Sequence, residues 1–164
     1  MNAPPTPPTI HASAVLAGAR AVLIRGPAGS GKSRLALSLI QAASNGQLIF
    51  ARLVADDRVH VEAAHDRLIA RPPAALAGLL EVRGLGIQHL PYEPMAVVSW
   101  VVDLGVAAPM RIPDDSTAHA VVAGVRIRRL AVAPGCDPVP IVLVAITSRP
   151  RQFGDAPVSA DVRL

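Results

Sequence analysis

The sequence predicts an α/β fold organised around a phosphate-binding loop. Three observations carry that expectation. The stretch Gly26-Pro27-Ala28-Gly29-Ser30-Gly31-Lys32-Ser33 has the form G-x-x-x-x-G-K-S. It follows the apolar run Ala21-Val22-Leu23-Ile24 and precedes Arg34–Ile40, where apolar residues recur at helical spacing. The chain has 164 residues, 51% hydrophobic but only 2% aromatic, which suits one domain with an aliphatic core.

The chemistry of the loop follows from its residue types. Glycines let the backbone turn tightly and aim N–H groups at phosphate oxygens. A helix starting near Lys32 adds its positive end. Lys32 reaches β- and γ-phosphates, and the Ser33 hydroxyl suits Mg²⁺. Lys32 is the only lysine beside fifteen arginines. A compact point charge therefore stands where one fits, in a chain that otherwise uses arginine. The bland alternative is a glycine-rich turn with a chance match.

In chain order, residues 1–9 are proline-rich and expected to be extended or disordered. The domain is expected over 10–147, with an irregular tail over 148–164. His11–Gly18 reads as a strand running into a turn, and Ala21–Arg25 as the strand feeding the loop. The helix should run to about Ala43 and stop at Ser44-Asn45-Gly46. Leu48–Val54 reads as a strand with Asp56-Asp57 at its end, where a metal ligand or base belongs beside a phosphate loop. Arg58–Glu62 and Leu68–Arg71 read as strands around a turn at His65-Asp66-Arg67. Pro72-Pro73 breaks the pattern, and Ala74–Leu80 is expected as a short helix or turn.

Leu80-Glu81-Val82-Arg83-Gly84-Leu85-Gly86-Ile87 joins a carboxylate, an arginine and two glycines, and is either a site or a loop. Ala96–Leu104 is a Val-rich strand, and Pro109–Asp115 a proline-bounded polar loop. Val121–Leu130 is a hairpin turning at Ala123-Gly124, and Pro134–Pro138 a turn. Val139–Ile146 is expected as a buried strand.

Charge narrows the function classes. The net charge is +4 and the pI about 10.5, which permits phosphates or an acidic partner. Nucleic acid is not expected, because the basic residues are scattered and Phe50, Phe153, Tyr92 and Trp100 form no stacking series. The single Cys136 excludes an internal disulfide and a cysteine-based zinc cluster. There is no membrane-length apolar run and no signal-peptide pattern, so a soluble cytoplasmic protein is expected.

Taken together, the Gly26–Ser33 loop, Val54-Ala-Asp-Asp57-Arg-Val59 and Leu80-Glu-Val-Arg-Gly-Leu-Gly-Ile87 resemble the catalytic domain of the HPr kinase/phosphorylase family. The resemblance spans about His11 to Val144, and the third segment is its most specific part. It is similar to the short alphaproteobacterial form, which carries the catalytic domain without the family's N-terminal domain. The resemblance implies a P-loop kinase domain related to phosphoenolpyruvate carboxykinase, with a mixed, β-rich sheet and few helices. It implies ATP and Mg²⁺ as cofactors and HPr, or an HPr-like phosphocarrier protein of the bacterial phosphotransferase system, as partner, with serine phosphorylation as the reaction. A homo-oligomer, the hexamer, is also implied.

Residue roles follow from the same resemblance. Asp57 takes the proton of the target serine and returns it in reverse. His11 sits near that carboxylate and tunes it; on the residues alone it reads as a histidine opening a strand. Gly26, Pro27, Ala28, Gly29, Ser30, Gly31, Lys32 and Ser33 hold the nucleotide. Ser33 and Glu81 are metal ligands, with Arg83 by the metal and the partner. Arg111 stabilises phosphoryl charge. Asp56 orients Asp57 or Lys32, or simply ends its strand. His60, His65, His89 and His119 match no role and form no metal motif.

Two departures stand out. The segment around Ser44–Ala51 is longer than in typical members. Ala133 and Cys136 stand where the family's arginines for dephosphorylation are expected, so the kinase direction is the expected activity and phosphorylase activity and the hexamer are less so. Alternatives are a P-loop kinase of another protein or small molecule, and a non-catalytic nucleotide-binding regulatory module.

Overall fold

The computed structural model describes residues 8–148. The expectations for residues 1–7 and for the tail from 149 lie outside them. Among the described residues there are ten strands and two α-helices. Strand β1 (Thr9–Ala17) turns at Gly18-Ala19 into β2 (Arg20–Arg25). The glycine-rich loop leads into α1 (Lys32–Ser44). Then come β3 (Ala51–Ala55), β4 (Arg58–Ala64) and β5 (Arg67–Arg71). A 3₁₀ turn (Ala74–Leu76) precedes β6 (Leu79–Val82) and β7 (Gly86–His89). Strands β8 (Ala96–Leu104), β9 (His119–Val122) and β10 (Val125–Val132) follow, and α2 (Val139–Thr147) closes the described chain.

Eight strands form one mixed sheet, and β6 with β7 form a separate hairpin. Strands β2, β8 and β10 run parallel to one another as neighbours. The sheet closes on itself: β1 pairs with β2 and β4, β4 with β5, β5 with β8, and β8 with β2. The β4–β5 turn places His65 and Asp66 at φ 49° and 59°, the conformation a two-residue type I′ hairpin needs. Ser99 is an extra residue in β8, since Val98 faces Ala21 and Trp100 faces Val22. The bulge re-phases the strand, so Val98 and Val101 join the same core.

Two apolar cores lie on the two faces of the sheet. One, inside the strand ring, holds Ala12, Ala14, Leu23, Val59, Leu68 and Val101. The other holds Val15, Val22 and Ile24 under Leu35 and Leu39 of α1, with Val142 of α2. Strand alternation supplies this split: Ala21 and Leu23 face one core, Val22 and Ile24 the other.

Three expectations need correction. Val139–Ile146 is a helix and not a strand. Val139, Val142, Leu143 and Ile146 share one face against the core, the helical i, i+3, i+4, i+7 set. Ile141 and Val144 are 47% and 61% exposed. Pro140 lies in the first turn, where a missing N–H costs nothing. The strand expected from Leu48 begins only at Ala51, with Ile49 in solvent. Within Ala74–Leu80, the turn ends by Leu76 and β6 has begun at Leu79.

Candidate active site

The loop between β2 and α1 is shaped by two glycines. A Cβ on Gly26 would meet the Leu104 carbonyl oxygen at 2.9 Å, at the end of β8. No other residue fits there. Gly31 is left-handed (φ 96°, ψ 22°) and starts α1 with no side-chain cap. The first-turn N–H groups of α1 are therefore free to meet a ligand.

Lys32 is buried, and its Nζ donates to the Gly26 and Pro27 carbonyl oxygens at 2.9 and 3.0 Å. One of its three donors is left for a phosphate. Burial pulls its pKa below the ordinary lysine value, opposed by the charges of Asp56 and Asp57.

Asp56, 4% exposed, is the hub beneath this loop. Its carboxylate accepts from the Ser13 hydroxyl at 2.5 Å and from the Ser33 hydroxyl at 2.9 Å to each oxygen. It also accepts from the Glu81 backbone N–H at 3.3 Å. A hydroxyl that gives its hydrogen to a carboxylate turns its lone pairs outward. Ser33 is thereby held in the orientation a cation ligand needs. Asp56 thus holds Ser33, a partner that sequence reasoning did not assign to it. Ser13 was missed altogether: one hydroxyl inside an apolar strand gives no pattern.

Asp57 stands one residue on, at φ 63°, outside the regions a non-glycine residue favours. The pairing of β1 with β4 sets His11 opposite Arg58, and so beside Asp57. His11 Nε2 lies 3.4 Å from Asp57 Oδ1, with the side chains 43% and 66% exposed. A carboxylate at the surface next to an imidazole can accept a proton from an incoming hydroxyl.

A cleft of about 710 Å³ gathers His11, Lys32, Ser33, Asp57, Glu81 and Arg83. Ala28, Gly29, Ser30 and Gly31 of the loop also line it, and so does Arg34, which sequence reasoning passed over. Gly26 and Pro27 lie behind it and anchor Lys32. Arg111 is exposed in the loop between β8 and β9 and does not line the cleft. Among the described residues, no three His, Cys, Asp or Glu side chains form a metal cage. The donors at hand, Ser33 and Glu81, are hard oxygens, the set that Mg²⁺ shares with substrate phosphates.

On the opposite face of the sheet, Asp103 of β8 joins two arginines. Arg25 reaches it through Nε at 2.7 Å and a second nitrogen at 2.8 Å, and Arg129 Nε at 2.5 Å. Burial pushes the Asp103 carboxyl up, and the two arginines outweigh this and hold it below the ordinary carboxylate value.

The family model described as HPr Serine kinase C-terminal domain matches residues 7–91. The HPr kinase/phosphorylase of Clostridium tetani (strain Massachusetts / E88) is 44% identical over 70 residues, 43% of this chain and 21% of the relative. The match thus spans about a fifth of that relative's length. The solved Hpr(Ser) kinase/phosphatase from Coxiella burnetii is similar in fold, with a TM-score of 0.67 at 22% identity. That similarity covers 85% of this chain and 88% of the other.

Proposed function

The chain belongs to the family of the HPr serine kinase C-terminal domain, and on that premise we propose that it transfers the γ-phosphoryl group of ATP to a serine of HPr or an HPr-like carrier. The observation that carries this reading is the convergence of Lys32, Ser33, Asp57, His11 and Glu81 on one cleft. Regulation of the phosphotransferase system, and the kinship with phosphoenolpyruvate carboxykinase, belong to the same reading.

The loop N–H groups and Lys32 bind and orient the phosphates. Ser33, aligned by Asp56, and Glu81 would hold Mg²⁺. Bound there, Mg²⁺ would neutralise charge on the transferring phosphoryl oxygens. Asp57 accepts the serine proton as the phosphoryl group moves, with His11 steadying its charge. Arg83 lies at the cleft, and the nearby Leu85 and Ile87 are 67% and 68% exposed. An apolar edge beside an arginine favours a protein substrate over a small molecule. Arg111 is the proposed stabiliser of phosphoryl charge, from a loop outside the cleft.

The test is transfer from γ-labelled ATP to purified HPr with Mg²⁺, for wild type, Lys32→Ala and Asp57→Asn. Label on serine is expected with wild type. Asp57→Asn should retain nucleotide binding and lose about a hundredfold or more in rate. Absence of label on HPr, with normal nucleotide binding, would overturn the substrate assignment.

A further inference from the structure

Arg34 lines the cleft with Lys32 and Ser33, yet none of the roles given to those residues falls to it. We propose that Arg34 is a specificity-determining residue: it binds the α-phosphate of the donor, so that the cleft distinguishes a triphosphate chain from a diphosphate. This rests on the nucleotide-binding reading above and names the residue that reads the length of the phosphate chain.

Three observations carry it. Arg34 stands in the first turn of α1 together with Lys32, and that turn holds no acidic residue. An exposed cation there opposes the positive end of the helix and costs stability. Natural sequences break such local rules chiefly at functional sites. Among the described residues Arg34 also forms no ion pair, whereas Arg25, Arg52, Arg71, Arg126 and Arg129 each hold a carboxylate. Its guanidinium fork is free for an anion. Finally, two residues along a helix is a turn of about 200°, so Arg34 enters the cleft from the side of α1 away from Lys32. Burial pulls the Lys32 pKa down, and the charges of Asp56 and then Asp57 oppose it, which sets Asp57 on the Lys32 side. The reacting γ end must meet Asp57, and Lys32 takes the β- and γ-phosphates. The α-phosphate is then the one turned toward Arg34. Its charge lies outside the β- and γ-oxygens that Mg²⁺ bridges, and so is left for an arginine.

The test is the Kd of magnesium ATP, magnesium tripolyphosphate and magnesium pyrophosphate, measured by titration calorimetry for wild type, Arg34→Gln and Arg34→Lys. Arg34→Gln removes a charge-assisted pair, so ATP and tripolyphosphate should weaken about tenfold or more. Pyrophosphate ends before Arg34 and should stay within about twofold of wild type. Arg34→Lys keeps the charge and loses the fork, and should fall between the two. Without ligand, the Tm of Arg34→Gln should equal that of wild type or exceed it by about 1–3 °C, since a cation leaves the positive end of the helix.

Equal loss for all three ligands makes Arg34 a general support of the loop, and no loss for any leaves it outside the site. Either result overturns the inference while the phosphate site stands. A Tm below wild type overturns it too, since Arg34 would then be kept for the fold. If wild type binds none of the three ligands, the nucleotide-binding reading itself falls, and this inference with it.

Discussion

Asp56 shows how one buried carboxylate governs a site without facing the reaction. It spends its oxygens on Ser13, Ser33 and the Glu81 N–H, and so ties β1, α1 and β6 to one point. Ser13→Ala removes one neutral donor to a charged acceptor and should cost about 1.5–3 kcal/mol in urea unfolding. Transfer should fall less than for Asp56→Asn, which loosens Ser33 directly. A larger loss of transfer for Ser13→Ala than for Asp56→Asn would contradict the alignment of Ser33 by Asp56.

Asp103 belongs to the same scale but to stability. Its folded pKa is depressed, so the unfolded chain binds more protons just below the ordinary value of 3.8. The stabilisation is present above that value and lost as the pH falls through the folded pKa. Asp103→Asn should cost about 1.5–3 kcal/mol at pH 7. Urea midpoints measured from pH 5 to pH 2.5 should fall more steeply for wild type than for the variant. Parallel slopes would contradict the role given to the Arg25–Asp103–Arg129 cluster.

At the scale of elements, α2 gives the sharpest contrast. A strand would place Val142 and Val144 on one face, whereas the helix buries Val142 completely and leaves Val144 61% exposed. Val142→Asp should therefore unfold or severely destabilise the protein, since it buries an unpaired charge. Val144→Asp should change stability by less than about 0.5 kcal/mol. Similar penalties at both positions in thermal melts would favour the strand. The helix α1 needs its packing as well: Leu35 and Leu39 are buried against β1 and β3, and Leu39→Ala should cost about 2–5 kcal/mol. The hairpin of β6 and β7 is different, paired only with itself, yet Glu81 reaches Asp56 through its backbone. That bond, together with Leu80 buried in the core that Leu35 and Leu39 of α1 share, sets Glu81 and Arg83 at the cleft.

At the scale of the molecule, the ring of β1, β2, β8, β5 and β4 joins early and late parts of the chain. Strand β8 pairs with β2 on one side, and on the other with β5 over Ala96–Val98 and with β10 over Trp100–Leu104. No half of the described chain can keep its core when the other opens. Unfolding should therefore be one cooperative transition, with Trp100 fluorescence and far-UV circular dichroism superimposing. Trp100 lies on β8 under the Arg128 guanidinium, 4.6 Å from the ring centroid, and so reports on the ring's central strand. Two resolved transitions would show that the ring is not the unit of stability.

What the sequence by itself determined is local. The glycine pattern, the helix stop at Asn45-Gly46, the turn at His65-Asp66 and the Val-rich run of β8 are written in neighbouring residues. Backbone conformation and side-chain periodicity are properties of such short stretches. The loop with Lys32 and Ser33, and the Asp56-Asp57 and Glu81 segments, were legible for the same reason. Tertiary structure decided the rest. A short apolar run such as Val139–Ile146 suits either period until something packs against it. The partners of Asp56 depend on the register of β1 and on where β6 docks, because Ser13 and Asp56 lie 43 residues apart in the chain. Asp103 and its arginines likewise meet only through strand pairing. Long-range contact is a property of the closed sheet, and no single stretch of the chain contains it.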